Sequence, residues 1–288
     1  LLNAHIDTVK PVDSWTRNPF EPSIDSSGRL YGLGSNDCGG GLMALLQTFI
    51  ALNGTQQPFN LIFLATAEEE VSGANGMQLM QTLLPPIALA IVGEPTAMQP
   101  AIAEKGLMVV DVTSHGEAGH AARQEGRNAI YEAMDDLQWL RTYRFERESP
   151  LLGPTLMQVT MINAGTAHNV VPDTCRMVVD VRTNELYTNS EVLHIMQRHL
   201  RGDAVARSLR LSSSRIDVHH PFVERCVALG KTPFGSPTLS DQALLTCPSV
   251  KIGPGDSRRS HTADEYIIIS EVDEAIDTYI QLLDQLQL

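Results

Sequence analysis

The sequence predicts an α/β protein into which a smaller β-α-β-β-α-β domain is inserted. Three observations carry this expectation. Short, continuously apolar runs alternate with helical patterns in the first third of the chain. From about Ile102 the texture changes to strict apolar/polar alternation, and near the C-terminus the first texture returns.

The chain opens on Leu1-Leu2-Asn3-Ala4-His5-Ile6-Asp7, which reads as a strand. Neither a Met nor a signal-peptide pattern stands before it, so an N-terminal portion is expected to be missing. After Gly39-Gly40-Gly41, the residues Leu42, Leu45, Leu46, Phe49 and Ile50 recur at helical spacing. Residues 60–67 and 87–92 are apolar on successive positions, as strands covered on both faces should be. A helical stretch at 76–84 lies between them and stops at Pro85-Pro86, where backbone donors are lost. The alternating region then reads as strand 108–113, helix 128–141, strands 156–162 and 176–182, helix 190–200 and strand 208–218. That order is the ferredoxin-like motif. Residues 249–252 resume the α/β texture, and the closing helix 271–286 carries Val272, Ala275, Ile276, Tyr279, Leu282, Leu283 and Leu286 on one stripe. The expected division is 1–98 with 217–288 as the larger domain and 99–216 as the insertion.

Composition narrows the function. With 43% hydrophobic and 19% charged residues, the 288-residue chain is globular rather than disordered. Thirty-four acidic against 21 basic residues give a net charge of −13, which argues against a nucleic-acid partner. The longest apolar runs fall short of the ~18 residues of a membrane span, so a soluble protein is expected. Cys38, Cys175, Cys226 and Cys247 are scattered, without Cys-x-x-Cys pairs, which predicts reduced thiols and a cytoplasmic location.

Five polar clusters stand at predicted strand ends: His5-Ile6-Asp7, Ser35-Asn36-Asp37-Cys38, Glu68-Glu69-Glu70, Gly93-Glu94 and Ser260-His261. Each has a bland reading. His-x-Asp is commonly a satisfied structural pair, Asp37 could cap the following helix, and the glutamates could be a solvated first turn. The glycine-dense loop could cradle phosphate, but no Gly-Lys-Ser/Thr follows it. Taken together, two histidines and several carboxylates where an open α/β sheet binds its ligands favour a mixed His/carboxylate metal site. Nitrogen and oxygen donors suit Zn, Co or Mn, and carboxylates bridge two ions ~3.5–4 Å apart.

His-x-Asp, Gly-x-Gly-x-x-Asp-x-x-Gly-Gly, Thr-Ala-x-Glu-Glu, Gly-Glu-Pro-Thr and His-Thr-x-x-Glu, in this order and split by an insertion, resemble the M20 metallopeptidase and amidohydrolase family. The likeness runs over essentially the whole chain and is strongest to its acetylornithine deacetylase and succinyl-diaminopimelate desuccinylase branch. It implies a phosphorylase/hydrolase-like mixed-sheet catalytic domain, an inserted dimerisation (lid) domain, a homodimer, and two divalent ions, Zn or Co. By motif, Asp37 would bridge the ions, His5 and Glu94 would complete one, and Glu70 and His261 the other. Glu69 would be the general base, with a one-residue ambiguity along the three glutamates, and Asp7 would support His5. His120 resembles a histidine that stabilises the oxyanion in a neighbouring subunit's site; alone, it reads as an exposed loop histidine. Asn169 and Arg182 resemble residues that hold the substrate's polar groups and α-carboxylate.

Two positions depart from the pattern: Gly39 stands where a lysine is frequent, and Cys38 follows the bridging aspartate. Cys38 reads as a buried inert thiol rather than a further ligand. Arg258 and Arg259 could receive a succinyl carboxylate, although a solvated basic pair is the simpler reading. The expected activity is metal-dependent hydrolysis of a small N-acyl-amino acid, of the acetylornithine type, in arginine biosynthesis. A desuccinylase or dipeptidase is the enzymatic alternative, and a catalytically silent binding or scaffold protein the non-enzymatic one.

Overall fold

A computed structural model describes residues 1–123 and 125–288. The chain divides into two compact units, the larger made of Leu1–Ala103, Ser214–Ser236 and Ser240–Leu288, the smaller of Glu104–Ser213 with Pro237–Leu239.

The larger unit is built on a mixed sheet. Its order is Ser214–Arg215, Ala101–Glu104, Ser249–Lys251, Ala90–Val92, Leu2–His5 and Phe63–Thr66, with Phe234–Ser236 also paired to Ala101–Glu104. The four strands from Ser249–Lys251 to Phe63–Thr66 run parallel, while Ala101–Glu104 is antiparallel to its neighbour. The strands Leu2–His5, Ala90–Val92 and Ser249–Lys251 are buried at every position, as parallel strands covered on both faces must be. Helices Gly40–Asn53 and Ile269–Leu283 pack together. Met77 and Ala90 form a separate cluster with Leu1, backed by Ile62, Leu64 and Leu244. Glycine is obligatory at Gly41, because a Cβ there would stand 1.9 Å from the Gly93 carbonyl oxygen. The first helix therefore starts in direct contact with the strand end that leads to Glu94.

The smaller unit is a four-stranded antiparallel sheet in the order Asp203–Ala206, Met108–His115, Thr174–Arg182, Leu156–Ala164. In chain order this is 4-1-3-2, with helices Ala129–Thr142 and Asn189–His199 as the two crossovers. Alternation in Met108–His115 and Thr174–Arg182 buries Met108, Val110, Val112, Met177, Val179 and Val181 with Ala133, Val192 and Met196 of the helices. Asn128 caps the first helix, and Thr188 with Glu191 forms a capping box on the second.

The strand expected at 208–218 is displaced. The sheet takes Asp203–Ala206, while Ser214–Arg215 joins the larger sheet. The Leu209/Leu211 alternation arises from a connecting segment whose Leu211 packs inward and accepts the Leu107 N–H. The helix at 76–84 shortens to Met77–Met80 and continues as turns. The closing helix begins at Ile269, two residues early, because the Glu271 carboxylate reaches back to the Ile268 N–H. Among the described residues, no helix is long and apolar enough to cross a membrane.

Candidate metal centre

The polar clusters collect at the carboxyl ends of the parallel strands. His5 ends its strand, Glu94 follows Ala90–Val92, and the glutamate run follows Phe63–Thr66. Asp37 comes from the loop Ser35–Gly39, ahead of the first helix.

His5 is 2% exposed. Its Nδ1 lies 2.9 Å from the Asp7 carbonyl oxygen; with Nδ1–H donating there, the Nε2 lone pair points into the site. Nε2 stands 3.2 Å from Asp37 Oδ1 and 3.7 Å from Glu94 Oε1. On the other side, His261 Nε2 stands 3.1 Å from Glu70 Oε2 and 3.5 Å from Asp37 Oδ2. The two oxygens of Asp37 thus address different histidines, each histidine accompanied by its own glutamate. His261 adopts φ 58°, a left-handed backbone that a non-glycine residue holds only when its surroundings impose it.

Asp7 supports His5 differently from the expectation. Its backbone carbonyl makes the closer contact, and its carboxylate, 3.6 Å from Nδ1, accepts the N–H groups of Glu69 and Glu70 at 3.3 and 3.2 Å. Asp7 therefore fixes the glutamate turn as well as the ring. Within the glutamate run, Glu68 turns outward to the backbone N–H and side-chain amide of Asn75. Glu69 and Glu70 remain on the side of the histidines.

The electrostatics are those of crowded, buried carboxylates. Burial and then Glu94 push Glu69 up to about 9. Burial and then Asp37 push Glu94 up to about 8 and also raise Glu70. Burial opposes charge on His5, yet hydrogen bonds to Asp37 and Cys38 hold its pKa well above the usual range. Asp37 is held low, against its own burial, chiefly by His5. Such a set repels itself unless cations stand within it, and its two imidazoles and four carboxylates match a borderline divalent ion. His5, Asp37 and Glu70 can offer ligand atoms within 4.8 Å of one another, as can His5, Cys38 and Glu94. The Cys38 thiol is spent on the His5 carbonyl at 3.2 Å, and burial pushes it up to about 12.

The remaining sequence-predicted residues are placed as follows. His120 and Asn169 share a two-stranded ribbon of the smaller unit: His120 pairs with Val170, and the Asn169 carbonyl accepts the Ala121 N–H. His120 is exposed, and its Nδ1 accepts the Ala122 N–H. Arg182, in the same unit, is gripped by Asp180 at 2.8 and 3.1 Å. Arg259 is not an open anion receptor, because both arms of its fork bind Glu271 at 2.7 and 3.0 Å. Arg258 is likewise held by Asp256.

Three polar residues beside the site had no role assigned from sequence. Glu265 accepts the N–H groups of Gly34, Asn36 and Asp37, and Asn36 ties the same loop to Asp256 and Ser260. Asp241 receives Asn3 Nδ2 and Thr66 Oγ1 at 2.8 and 2.7 Å beneath the strand ends. Burial in an apolar setting is the signal that marks them, and burial is invisible until the strands are placed.

The model of peptidase family M20/M25/M40 matches residues 1–285. Acetylornithine deacetylase of Shigella sonnei is 28% identical over 98% of this chain and 79% of its own length. A tripeptidase from Staphylococcus aureus superposes with a TM-score of 0.74 at 21% identity, covering 98% of this chain and 79% of that one. A dinuclear metal-binding M20 peptidase from Bacillus subtilis superposes with a TM-score of 0.71 at 18% identity, over 98% and 79% of the two chains. With the whole catalytic sheet matched and the histidine and carboxylate ends gathered at its rim, the chain belongs to peptidase family M20/M25/M40, and with it to the metal-dependent hydrolases.

Proposed function

We propose that this chain hydrolyses the amide bond of a small N-acyl-amino acid, with N-acetylornithine-type deacetylation in arginine biosynthesis as its reaction. The observation that carries the reading is Asp37 standing between His5 with Glu94 and His261 with Glu70. His5, Asp37 and Glu94 would hold one divalent ion, and Asp37, Glu70 and His261 the other, with Zn or Co as the natural occupants. Bound there, the ions would supply Lewis-acid activation of water and of the acyl carbonyl. Glu69, beside them and free of ligand duty, accepts the proton of the attacking water at its carboxylate and returns it to the leaving amine. Its raised pKa falls toward neutrality once cations offset the neighbouring carboxylates, which suits a group that must both take and give a proton.

From the smaller unit, His120 would stabilise the oxyanion of a neighbouring subunit, while Asn169 and Arg182 would hold the substrate's polar groups and α-carboxylate. Arg182 then exchanges Asp180 for substrate. The pairing of subunits would use the outer strand Leu156–Ala164, which exposes Leu156, Met161 and Ile162, and the helix face bearing Tyr131 and Met134. A cytoplasmic homodimer is the assembly this reading requires.

The acetyl-type substrate is favoured over a succinyl one because Arg258 and Arg259 already carry carboxylate partners. The name of the Shigella relative supports the same choice, whereas that of the Staphylococcus neighbour supports a peptidase. The test is amine release by cobalt- or zinc-reconstituted full-length protein from N-acetyl and N-succinyl ornithine, citrulline, lysine and diaminopimelate, and from dipeptides. Selective release from one N-acetyl-amino acid is expected. Release from dipeptides alone would move the reaction to peptide bonds, and silence with metal bound would leave a scaffold.

A further inference from the structure

Glu265 takes no part in the reaction above, yet it is 2% exposed and its carboxylate gathers three backbone donors of the loop that carries Asp37. Oε1 accepts the N–H groups of Asn36 and Asp37 at 3.0 and 2.8 Å, and Oε2 accepts that of Gly34 at 3.0 Å. Its own carbonyl accepts the Gly32 N–H at 3.1 Å. Four residues upstream on the same segment is His261, and between the two loops Asn36 donates to the Asp256 carbonyl and Ser260 hydroxyl while accepting the Asp256 N–H. The seam is tight: a Cβ on Gly255 would stand 2.3 Å from Asn36 Oδ1.

We propose that Glu265 is a positioning residue for both ion positions, fixing where the Asp37 carboxylate stands between His5 and His261. The inference rests on the two-ion hydrolytic reading. A bridging carboxylate must meet both ions within a few tenths of an ångström, and Asp37 cannot do so unless its backbone is held. Glu265 holds it by a charge no neutral side chain reproduces. A glutamine offers only one oxygen, and its amide would turn a donor against one of the N–H groups Glu265 now satisfies. Because Glu265 and His261 share a segment, the same loss loosens the second ion's histidine.

The experiment titrates cobalt(II) into metal-stripped full-length wild type, Glu265→Gln and Asp136→Asn, reading the visible cobalt spectrum, affinity, thermal midpoint, and kcat and KM on the wild type's substrate. Asp136 is the control of matching chemistry, a buried carboxylate of the smaller unit that accepts the N–H groups of Arg201 and Gly202. Glu265→Gln is expected to weaken cobalt binding about 10–100-fold, alter the cobalt spectrum and lower kcat, with KM within about threefold. Asp136→Asn is expected to lower the thermal midpoint and leave the spectrum unchanged. Wild-type cobalt affinity and spectrum in Glu265→Gln, or a change no larger than in Asp136→Asn, overturns the proposal and leaves the hydrolytic reading standing. A wild type that binds no cobalt and cleaves nothing overturns both. Should Glu265→Gln not fold, Glu265→Asp, which keeps the charge and withdraws it about 1.5 Å, is read against the same outcomes.

Discussion

The carboxyl edge of the larger sheet and the Asp136 turn of the smaller unit both bury acidic side chains, and they do so in opposite ways. Asp136, 1% exposed, is met by the Ser114 hydroxyl at 3.2 Å and by the N–H groups of Arg201 and Gly202 at 2.8 and 3.0 Å. Every donor there is neutral and fixed, so the carboxylate is part of the fold. At the sheet edge, burial and then Glu94 push Glu69 up to about 9, while burial and then Asp37 push Glu94 up to about 8. Asp136 completes its surroundings, whereas the edge carboxylates conflict with theirs, and such conflict marks a site built for something else to bind.

The sharpest way to break this contrast is to remove the proton carrier. Glu69→Gln should lower kcat by about 10²–10⁴ with two ions still bound, measured by steady-state turnover alongside metal analysis. Near-normal turnover with full metal would move the base to another residue. Glu94→Gln and Asp136→Asn should then differ in sign in metal-free protein at pH 8. Asp136→Asn costs about 1–3 kcal/mol by leaving donors unmet, and Glu94→Gln raises the thermal midpoint by removing a repelled charge while abolishing one ion. A destabilised metal-free Glu94→Gln would mean that the edge carboxylates are satisfied after all.

The pH dependence follows from the same edge. Glu69 and Glu94 titrate higher folded than unfolded, so between about pH 5 and their folded values the native state holds more protons than the unfolded chain. Stability of the metal-free protein therefore falls as pH rises through that window. His5, also raised, contributes in the same direction above its ordinary value. Cobalt competes with those protons, so its affinity should climb over the same range. Thermal melts of chelator-stripped protein at pH 5.5 and 8 decide it; a midpoint that rises with pH contradicts the assigned shifts.

The sheet edge was also where the sequence spoke most clearly. The strands read at the start of the chain, at 60–67 and at 87–92 placed three clusters at strand ends. Leu2–His5 and Ala90–Val92 are buried throughout, whereas Phe63–Thr66, outermost in the sheet, buries only Thr66 and exposes Ala65, so the expectation of cover on both faces fails there. Period-2 patterning located Met108–His115 and Thr174–Arg182. It failed at 208–218, where Leu209 and Leu211 alternate in a connecting segment, and at Asp203–Ala206, whose small side chains carry little signal. The histidines and carboxylates of the centre were visible as motifs. Glu265 closes the His-Thr-x-x-Glu motif and Asn36 lies in the aspartate cluster, but their roles, and Asp241 altogether, were not legible, because their partners are backbone groups and side chains up to 238 residues away. Arg259 misled for a related reason: a basic pair before His261 looks available until the final helix brings Glu271 against it.

The smallest expected effect separates that half-buried pair from its exposed neighbour. The Arg258 side chain is 88% exposed and bound to Asp256, whereas that of Arg259 is 19% exposed, bound to Glu271 through both arms and set 4.7 Å over the Tyr266 ring. Arg258→Ala should leave the thermal midpoint essentially unchanged, since an exposed pair gains little over water. It should leave kcat/KM for an N-acetyl substrate within about twofold, well inside the loss a transition-state contact would cause. Arg259→Ala should destabilise more, through the unpaired Glu271 and the lost stacking on Tyr266. If Arg258→Ala instead removes activity on N-succinyl substrates selectively, Arg258 leaves Asp256 when substrate arrives, and the acyl specificity assigned to this site changes from acetyl to succinyl.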